Sequence, residues 1–531
     1  MSSATLTFDQ DIWRPKYNPW LIAVVVAMAA FMEVLDTSIA NVALPYIAGN
    51  LAASNDQSTW VLTSYLVSNA IILPISGWLA GAIGRKRFFM TCLAVFTISS
   101  LLCGFAPSLG MLLFFRVLQG AGGGGLQPMA QAILADTFPP EQRGLAFALY
   151  GITAVTAPTI GPTLGGWITF NYSWRWIFFI NIPVGLLTFA LVRRFVEDPP
   201  YLAKLKSAGV KLDYIGIALL AVGIGALQIV LDKGQEDDWF GSHFITTLAV
   251  TATICLLSLV IWEWFYKSPI IDVKMFKNFN FASSNLMMFM LGVMLFSSLV
   301  LMPQFLQTLT GYTAEVAGLA LSAGGLVLLL EMPLMGHLTS KIEARYLIAF
   351  GWLSLAIAMY YSTLRIDLQI SFVAATWLRI FQSIGLGFLF VPITLVAYIG
   401  IAPEKNNAVA GLVNFMRNMG SSVGTSMVTT LIARRSQFHQ EILGDYVRQG
   451  NFNLRNSVAG LSNHIASSGF STPDAQKHAY ALIYQSVQDQ AATLAYIDTF
   501  MVLAVASSIM FFLAFILKGN RPGAGGDLAV G

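Results

Sequence analysis

Arg116-Val-Leu-Gln119-Gly-Ala-Gly122 lies in a long, almost chargeless stretch, and Arg379-Ile-Phe-Gln382-Ser-Ile-Gly385 repeats its pattern far down the chain. Gly77-Trp-Leu79 and Gly336-His-Leu338 recur at nearly the same interval. Two markers at one spacing indicate a duplicated unit. The sequence around them is apolar in blocks: residues 21–30, 177–192, 214–231, 244–262 and 499–517 contain almost no charge. Such blocks approach or reach the roughly 20 residues that cross a hydrocarbon layer as a helix. Of 531 residues, 56% are hydrophobic and 11% charged, against about 25% charged in a soluble domain. A water-facing surface cannot be built from so few charges. In lipid, backbone polar groups must be satisfied within each segment, which selects helices. The fold class expected is an all-α polytopic membrane protein.

Fourteen spans are expected, near 20–42, 58–80, 88–105, 109–134, 144–168, 174–194, 213–232, 242–263, 279–306, 313–337, 345–362, 369–395, 405–432 and 491–517. The repeat then divides the chain into a tail 1–19, a six-helix bundle 20–200, an inserted helix pair 201–267, a second six-helix bundle 268–517 and a tail 518–531. Duplicated bundles enclosing a site at their interface are the plan of secondary transporters. With the N-terminus inside, most of the thirty Lys and Arg fall on the cytoplasmic side, among them Arg85, Lys86, Arg87, Arg193 and Arg194. The short outer loops hold Lys233 and Arg365, so the basic asymmetry places both termini in the cytoplasm. The first apolar run carries Glu33 and Asp36 and reads as a retained span rather than a cleaved signal.

Several chemistries are excluded. The net charge of +3, with no basic patch, does not suggest a nucleic-acid partner. The three cysteines lie in apolar blocks and the five histidines are scattered, so neither a disulfide framework nor a metal site is expected. The run Gly120-Ala-Gly-Gly-Gly-Gly125 lacks the Gly-Lys-Ser/Thr of a phosphate loop and reads as close helix packing. No nucleophile–base pair marks an enzyme, and no cofactor is expected. The energy source would be the proton motive force.

The charges that remain inside spans are therefore informative, because each is costly there. Glu33 and Asp36 are one turn apart on span one, near one face, and are candidates to carry protons. Arg116 is the complementary charge, with Gln119 on its face and Gln127 further along. Arg379 and Gln382 are their second-half equivalents, and Asn414 with Arg417 forms another polar pair in span thirteen. A purely structural role, tying helices together, is the alternative for each. Two segments break the alternation of helix and short turn. Residues 433–490 form a long polar outer loop in which 477–495 is suited to a helix. There Phe452, Leu454, Val458, Leu461, Ile465 and Phe470 suggest a contact surface for another protein. Residues 268–280 mix apolar and charged side chains and suit either the inner membrane surface or a plain linker.

The motifs together resemble the major facilitator superfamily, in its fourteen-helix drug:proton antiporter branch, and within it the EmrB/QacA group. Residues 35–45 (Leu-Asp-Thr-Ser-Ile-Ala-Asn41-Val-Ala-Leu-Pro) are similar to the branch signature of span one, which adds Asn41 to the cavity candidates. Gly77-Trp-Leu-Ala-Gly81-Ala-Ile-Gly84-Arg85-Lys86-Arg87 resembles the intracellular gating motif, with Gly81 where an Asp is usual. The charge lock associated with that Asp is then absent or replaced. Gly161-Pro162-Thr-Leu-Gly165-Gly166 looks like the antiporter motif, with Ala157 at a position often held by Gly. Residues 173–185 of span six are also typical of the branch. The resemblance implies a major facilitator fold and a proton-coupled antiporter that exports hydrophobic or amphiphilic compounds. Glu33, Asp36 and Arg116 would couple protons to transport, Asp36 foremost because it lies in the signature stretch, and span five would limit proton leak. It further implies a bacterial inner-membrane permease of a tripartite pump, served by a periplasmic adaptor and an outer-membrane channel. A narrower exporter of siderophores, fatty acids or a biosynthetic product is the alternative on the same fold. A membrane sensor that has lost transport is a further one, disfavoured by the intramembrane charges.

Overall fold

The computed structural model describes residues 15–200, 213–448 and 451–518. The tail to residue 14, the expected start of the inserted pair at 201–212 and the tail from 519 lie outside these. The described chain is all helical. Spans one to three are Pro19–Asn50, Asn55–Ile83 and Arg85–Phe105. Span four is broken into Leu109–Gly123 and Leu126–Thr137, span five is Arg143–Asn171, and span six is broken into Trp176–Phe179 and Asn181–Phe195. Spans seven and eight are Tyr214–Lys233 and His243–Phe265. Spans nine to twelve are Phe279–Thr308, Ala314–Leu338, Ala344–Arg365 and Phe372–Ala397. Span thirteen is Asn406–Tyr446 and span fourteen Thr472–Ala514. Thirteen of these are long and apolar enough to cross a membrane. Span thirteen is the polar exception, yet it packs between spans nine, two and fourteen as a full member of the bundle.

Glycine decides how closely the first bundle packs. A Cβ on Gly120 would strike the backbone carbonyl of Tyr65, on Gly122 the backbone of Phe96, and on Gly124 the carbonyl of Asn69. This glycine run lets span four touch spans two and three backbone to backbone, and its helix gives way at Gly124 and Gly125. Gly84 adopts a φ of 95°, which lets span two turn directly into span three.

The two bundles meet through spans two and thirteen and through spans five and ten. Span seven leans on span two, whereas span eight packs on span seven and exposes Val250, Ile254, Leu257, Ile261 and Phe265, the face expected of a lipid-contacting helix.

Residues 268–280 follow the bundle, with Ile270 and Met275 buried against it, the latter in the short turn Val273–Lys277. One expectation is corrected. Residues 433–490, read as a polar loop, are almost continuously helical where they are described. Spans thirteen and fourteen run on for 41 and 43 residues, about 60 Å each at 1.5 Å per residue, roughly twice the hydrocarbon thickness. A helix Phe452–Ser467 caps this projection. Leu454, Val458, Leu461 and Ile465 are its own small core, packed with Ala479 and Ile483, and only Phe452 and Phe470 of the suggested contact surface stay exposed. The polar residues that hid these helices are their solvated faces.

Candidate functional site

A cavity of about 400 Å3 lies between the bundles. Its wall is mostly apolar, with Leu295, Phe296, Leu328, Met332 and Phe390 among its residues, and its polar points include Glu33, Asn41, Arg116, Gln127 and Arg417. Pockets of this kind hold small molecules by apolar contact and fix orientation with a few polar groups.

Span one carries both carboxylates, but the tertiary structure gives them different surroundings. Asp36 is buried away from the cavity wall. It accepts from Arg116 Nη1 at 2.6 Å, Gln119 Nε2 at 2.9 Å and Asn181 Nδ2 at 2.6 Å. Arg116 also donates to the Val61 carbonyl at 3.0 Å and to Gln119 Oε1 at 2.8 Å, and its guanidinium lies over the Tyr65 ring. Both side chains of this ion pair are at most 1% exposed, so the pair is buried, bonded and internal to the first bundle. Asn181 reaches Asp36 because the break in span six puts it at the start of a new helical segment.

Glu33 faces the cavity. It accepts from Tyr65 Oη and Asn69 Nδ2, each at 3.1 Å, and from Gln127 Nε2. Gln127 Oε1 in turn accepts from Arg417 of span thirteen and from Tyr150 Oη of span five. One amide thus joins a first-bundle carboxylate to a second-bundle guanidinium. Further along the same interface, Asn414 donates to Gln131 Oε1 at 2.7 Å and Asn406 to Asp136 Oδ1 at 2.6 Å. Residues 127, 131 and 136 of span four and 417, 414 and 406 of span thirteen therefore form a polar ladder across the bundles.

At the far end of this ladder lies the stretch that resembles the gating motif. Arg85 pairs with Asp136 at 2.6 Å, with both side chains buried, and donates to the Ala132 carbonyl. Asp198 accepts from the Lys86 backbone N–H at 2.8 Å. A Cβ on Gly77 would strike the backbone of Ala408, one on Gly144 the carbonyl of Gly336, and Phe147 stacks on Tyr398. The bundles are in contact at this end. Gly81 has open space beside it. At this end Asp136 makes a cross-bundle bond through Asn406.

The remaining sequence candidates are placed as follows. Gly161 and Gly165 abut Ser38 and Ile39, Gly166 comes near Val42, and Pro162 lines the cavity, so the antiporter-like motif packs on the signature stretch of span one. Arg379 donates to Ser298 at 2.8 Å and Gln382 to Ser362 at 3.1 Å; both lie behind the cavity wall in the second bundle. Sequence reasoning passed over Tyr65, Asn69, Gln131, Asp136, Tyr150, Asn181 and Glu331. Tyr65 and Asn69 had a usable signal, two polar groups at i, i+4 in an apolar block. Glu331 had a stronger one, a carboxylate within span ten; it abuts Gly387, and its Oε2 is buried without a hydrogen bond among the described residues.

Two helical bundles, a central cavity and buried charges at their interface define a membrane transporter of the alternating-access kind, not an enzyme. The chain matches the Major Facilitator Superfamily over residues 26–425 and belongs to that family. It is 35% identical over 509 residues to the multidrug export protein EmrB of Escherichia coli strain K12, covering 95% of this chain and 97% of that protein. It is 40% identical over 446 residues to the fatty acid resistance protein FarB of Neisseria gonorrhoeae, covering 84% and 87%. Among solved structures, the proton:xylose symporter XylE shares the fold with a TM-score of 0.60 at 15% identity, covering 96% of this chain and 97% of that one.

Proposed function

We propose that this protein is a proton-coupled antiporter that exports hydrophobic or amphiphilic compounds. The observation that carries the reading is the mostly apolar interbundle cavity with Glu33 in its wall. An apolar wall accepts varied amphiphiles loosely, and a wall carboxylate can exchange a proton with the cavity. Glu33 is the proton carrier in this reading. Asp36, locked to Arg116, holds spans one, four and six in register around it. Each proton moving inward releases about 2.3 kcal/mol per 100 mV, which suffices to concentrate substrate on the other side. The inserted pair, spans seven and eight, is peripheral to this machinery. The permease sits in a bacterial inner membrane with both termini cytoplasmic, and its 433–490 projection docks a periplasmic adaptor that leads to an outer-membrane channel. The likeness to a multidrug export protein supports this reading.

A second reading, export of fatty acids, is favoured by the likeness to a fatty acid resistance protein. Purified protein in liposomes, with a pH gradient and a panel of cationic dyes, weak acids and long-chain fatty acids, tests both. Substrate movement that dissipates the gradient is expected for several unrelated amphiphiles. Movement confined to fatty acids would replace the first reading with the second, and movement indifferent to the gradient would overturn both.

A further inference from the structure

We propose that Gln127 is the positioning residue that ties the proton occupancy of Glu33 to contact between the two bundles. The inference rests on the reading of Glu33 as proton carrier and adds the part that transmits its state. Gln127 lies in the second segment of span four, on the cavity wall. Its N–H end donates to Glu33 and its carbonyl end accepts from Arg417 and Tyr150. The opposite orientation would set a carbonyl against a carboxylate and an NH2 group against a guanidinium, so the two charges fix the amide. With Glu33 ionised, the amide dipole lies between an anion and a cation, and each bond polarises the other. When Glu33 takes a proton, the N–H end faces a neutral acid and the carbonyl loses that polarisation. The bond to Arg417 then weakens, and with it the first rung of the ladder formed by Gln131–Asn414 and Asp136–Asn406. Those rungs lead to the end where Gly77 meets Ala408 and the bundles touch. Proton uptake therefore releases that end, and proton loss lets it close.

Asn69 also joins Glu33 to span thirteen, but it meets there the neutral amide of Asn418 at 3.4 Å and no cation, and the charged and titratable neighbours of Glu33 do not duplicate the route to Arg417. Tyr65 and Asp36 belong to the first bundle, and Arg116 is committed to Asp36 and Val61. Tyr150 is also in the first bundle; it donates to Gln127 and, at 3.4 Å, to Asn414. Arg417 is the second-bundle charge in the chain of bonds, and it is reached through Gln127.

The test measures the closed end directly. In full-length protein with Cys255→Ser, spin labels at Arg87→Cys and Lys341→Cys, both exposed and on opposite bundles, report the interbundle distance by pulsed electron resonance. The native protein should lengthen this distance as pH falls through the range in which Glu33 takes up its proton. Gln127→Met, of similar size without the amide, should abolish the pH-dependent shift. Arg417→Met, which leaves the Glu33–Gln127 bond in place, should abolish it equally, so the inference does not depend on one variant folding. Loss of the shift in Glu33→Gln alone, with native behaviour in both other variants, would overturn the relay while keeping Glu33 as carrier. A native shift in Glu33→Gln would overturn the reading of Glu33 itself.

Discussion

Asp36→Asn is the perturbation whose outcome the geometry fixes best. The carboxylate accepts three hydrogen bonds within 2.9 Å and pairs with Arg116, both side chains being at most 1% exposed. Neutralising one member leaves a buried guanidinium without its counter-charge, which costs about 3–5 kcal/mol. At about 2–4 °C per kcal/mol for a domain the size of one bundle, melting of the detergent-solubilised protein should fall by roughly 6–20 °C. Arg116→Met should cost a similar amount, because it strands the carboxylate. The double variant Asp36→Asn/Arg116→Met removes both charges, and neutral replacement of a buried pair is often nearly neutral in energy. It should therefore melt closer to the native protein than either single variant, giving a coupling of about 2 kcal/mol or more in a double-mutant cycle. The assay is thermal unfolding followed by intrinsic tryptophan fluorescence. Additive losses in the double variant, or native melting in Asp36→Asn, would show that the pair does not anchor the bundle and would return Asp36 to the list of proton carriers.

Glu33→Gln should melt near the native temperature, because an amide can keep the bonds from Tyr65 and Asn69, yet lose proton release on substrate binding; unchanged proton release in the purified variant would remove Glu33 from coupling. Gly77→Val should prevent closure of the Arg85 end, since even a Cβ meets the Ala408 backbone there, so cysteines introduced at that end should alkylate faster; native alkylation rates would refute the contact. Val458→Asp should unfold the cap Phe452–Ser467 by placing a charge in its small core, exposing residues 451–471 to protease while membrane-domain melting stays put; loss of the whole protein would show that the projection is integral to the bundles.

Much of the fold was legible because a bilayer reduces the problem to one variable. Apolar blocks of spanning length must be helices, and the Arg116 and Arg379 markers divide them into two bundles. Span thirteen shows where that reading is weakest: Asn414, Arg417 and Asn418 lower its apolar character because the span faces another polar helix instead of lipid. The 433–490 projection was misread for a related reason. Its helices are amphipathic and solvated, so polarity there marked an exposed face and not a loop, and a period-based reading of Leu454, Val458, Leu461 and Ile465 would have found the helix they share.

The site divides along the same line. Glu33, Asp36 and Arg116 stand out in the sequence because an intramembrane charge is too costly to be idle. Which carboxylate meets Arg116 and which meets the cavity is not encoded in their spacing, since residues one turn apart share a helix face. That assignment depends on what packs against each: the broken span six brings Asn181 to Asp36, while the glycine-bearing span four brings Gln127 to Glu33. Likewise, the sequence by itself declared that Gly81 stands where an acid is usual. Only the approach of span thirteen to span four, which brings Asn406 within 2.6 Å of Asp136, decided that a different acid bonds across the bundles at this end. Solvation by lipid acts on each segment separately and can be read from the chain. Hydrogen bonds between helices depend on rotations and translations that become definite when the bundles pack.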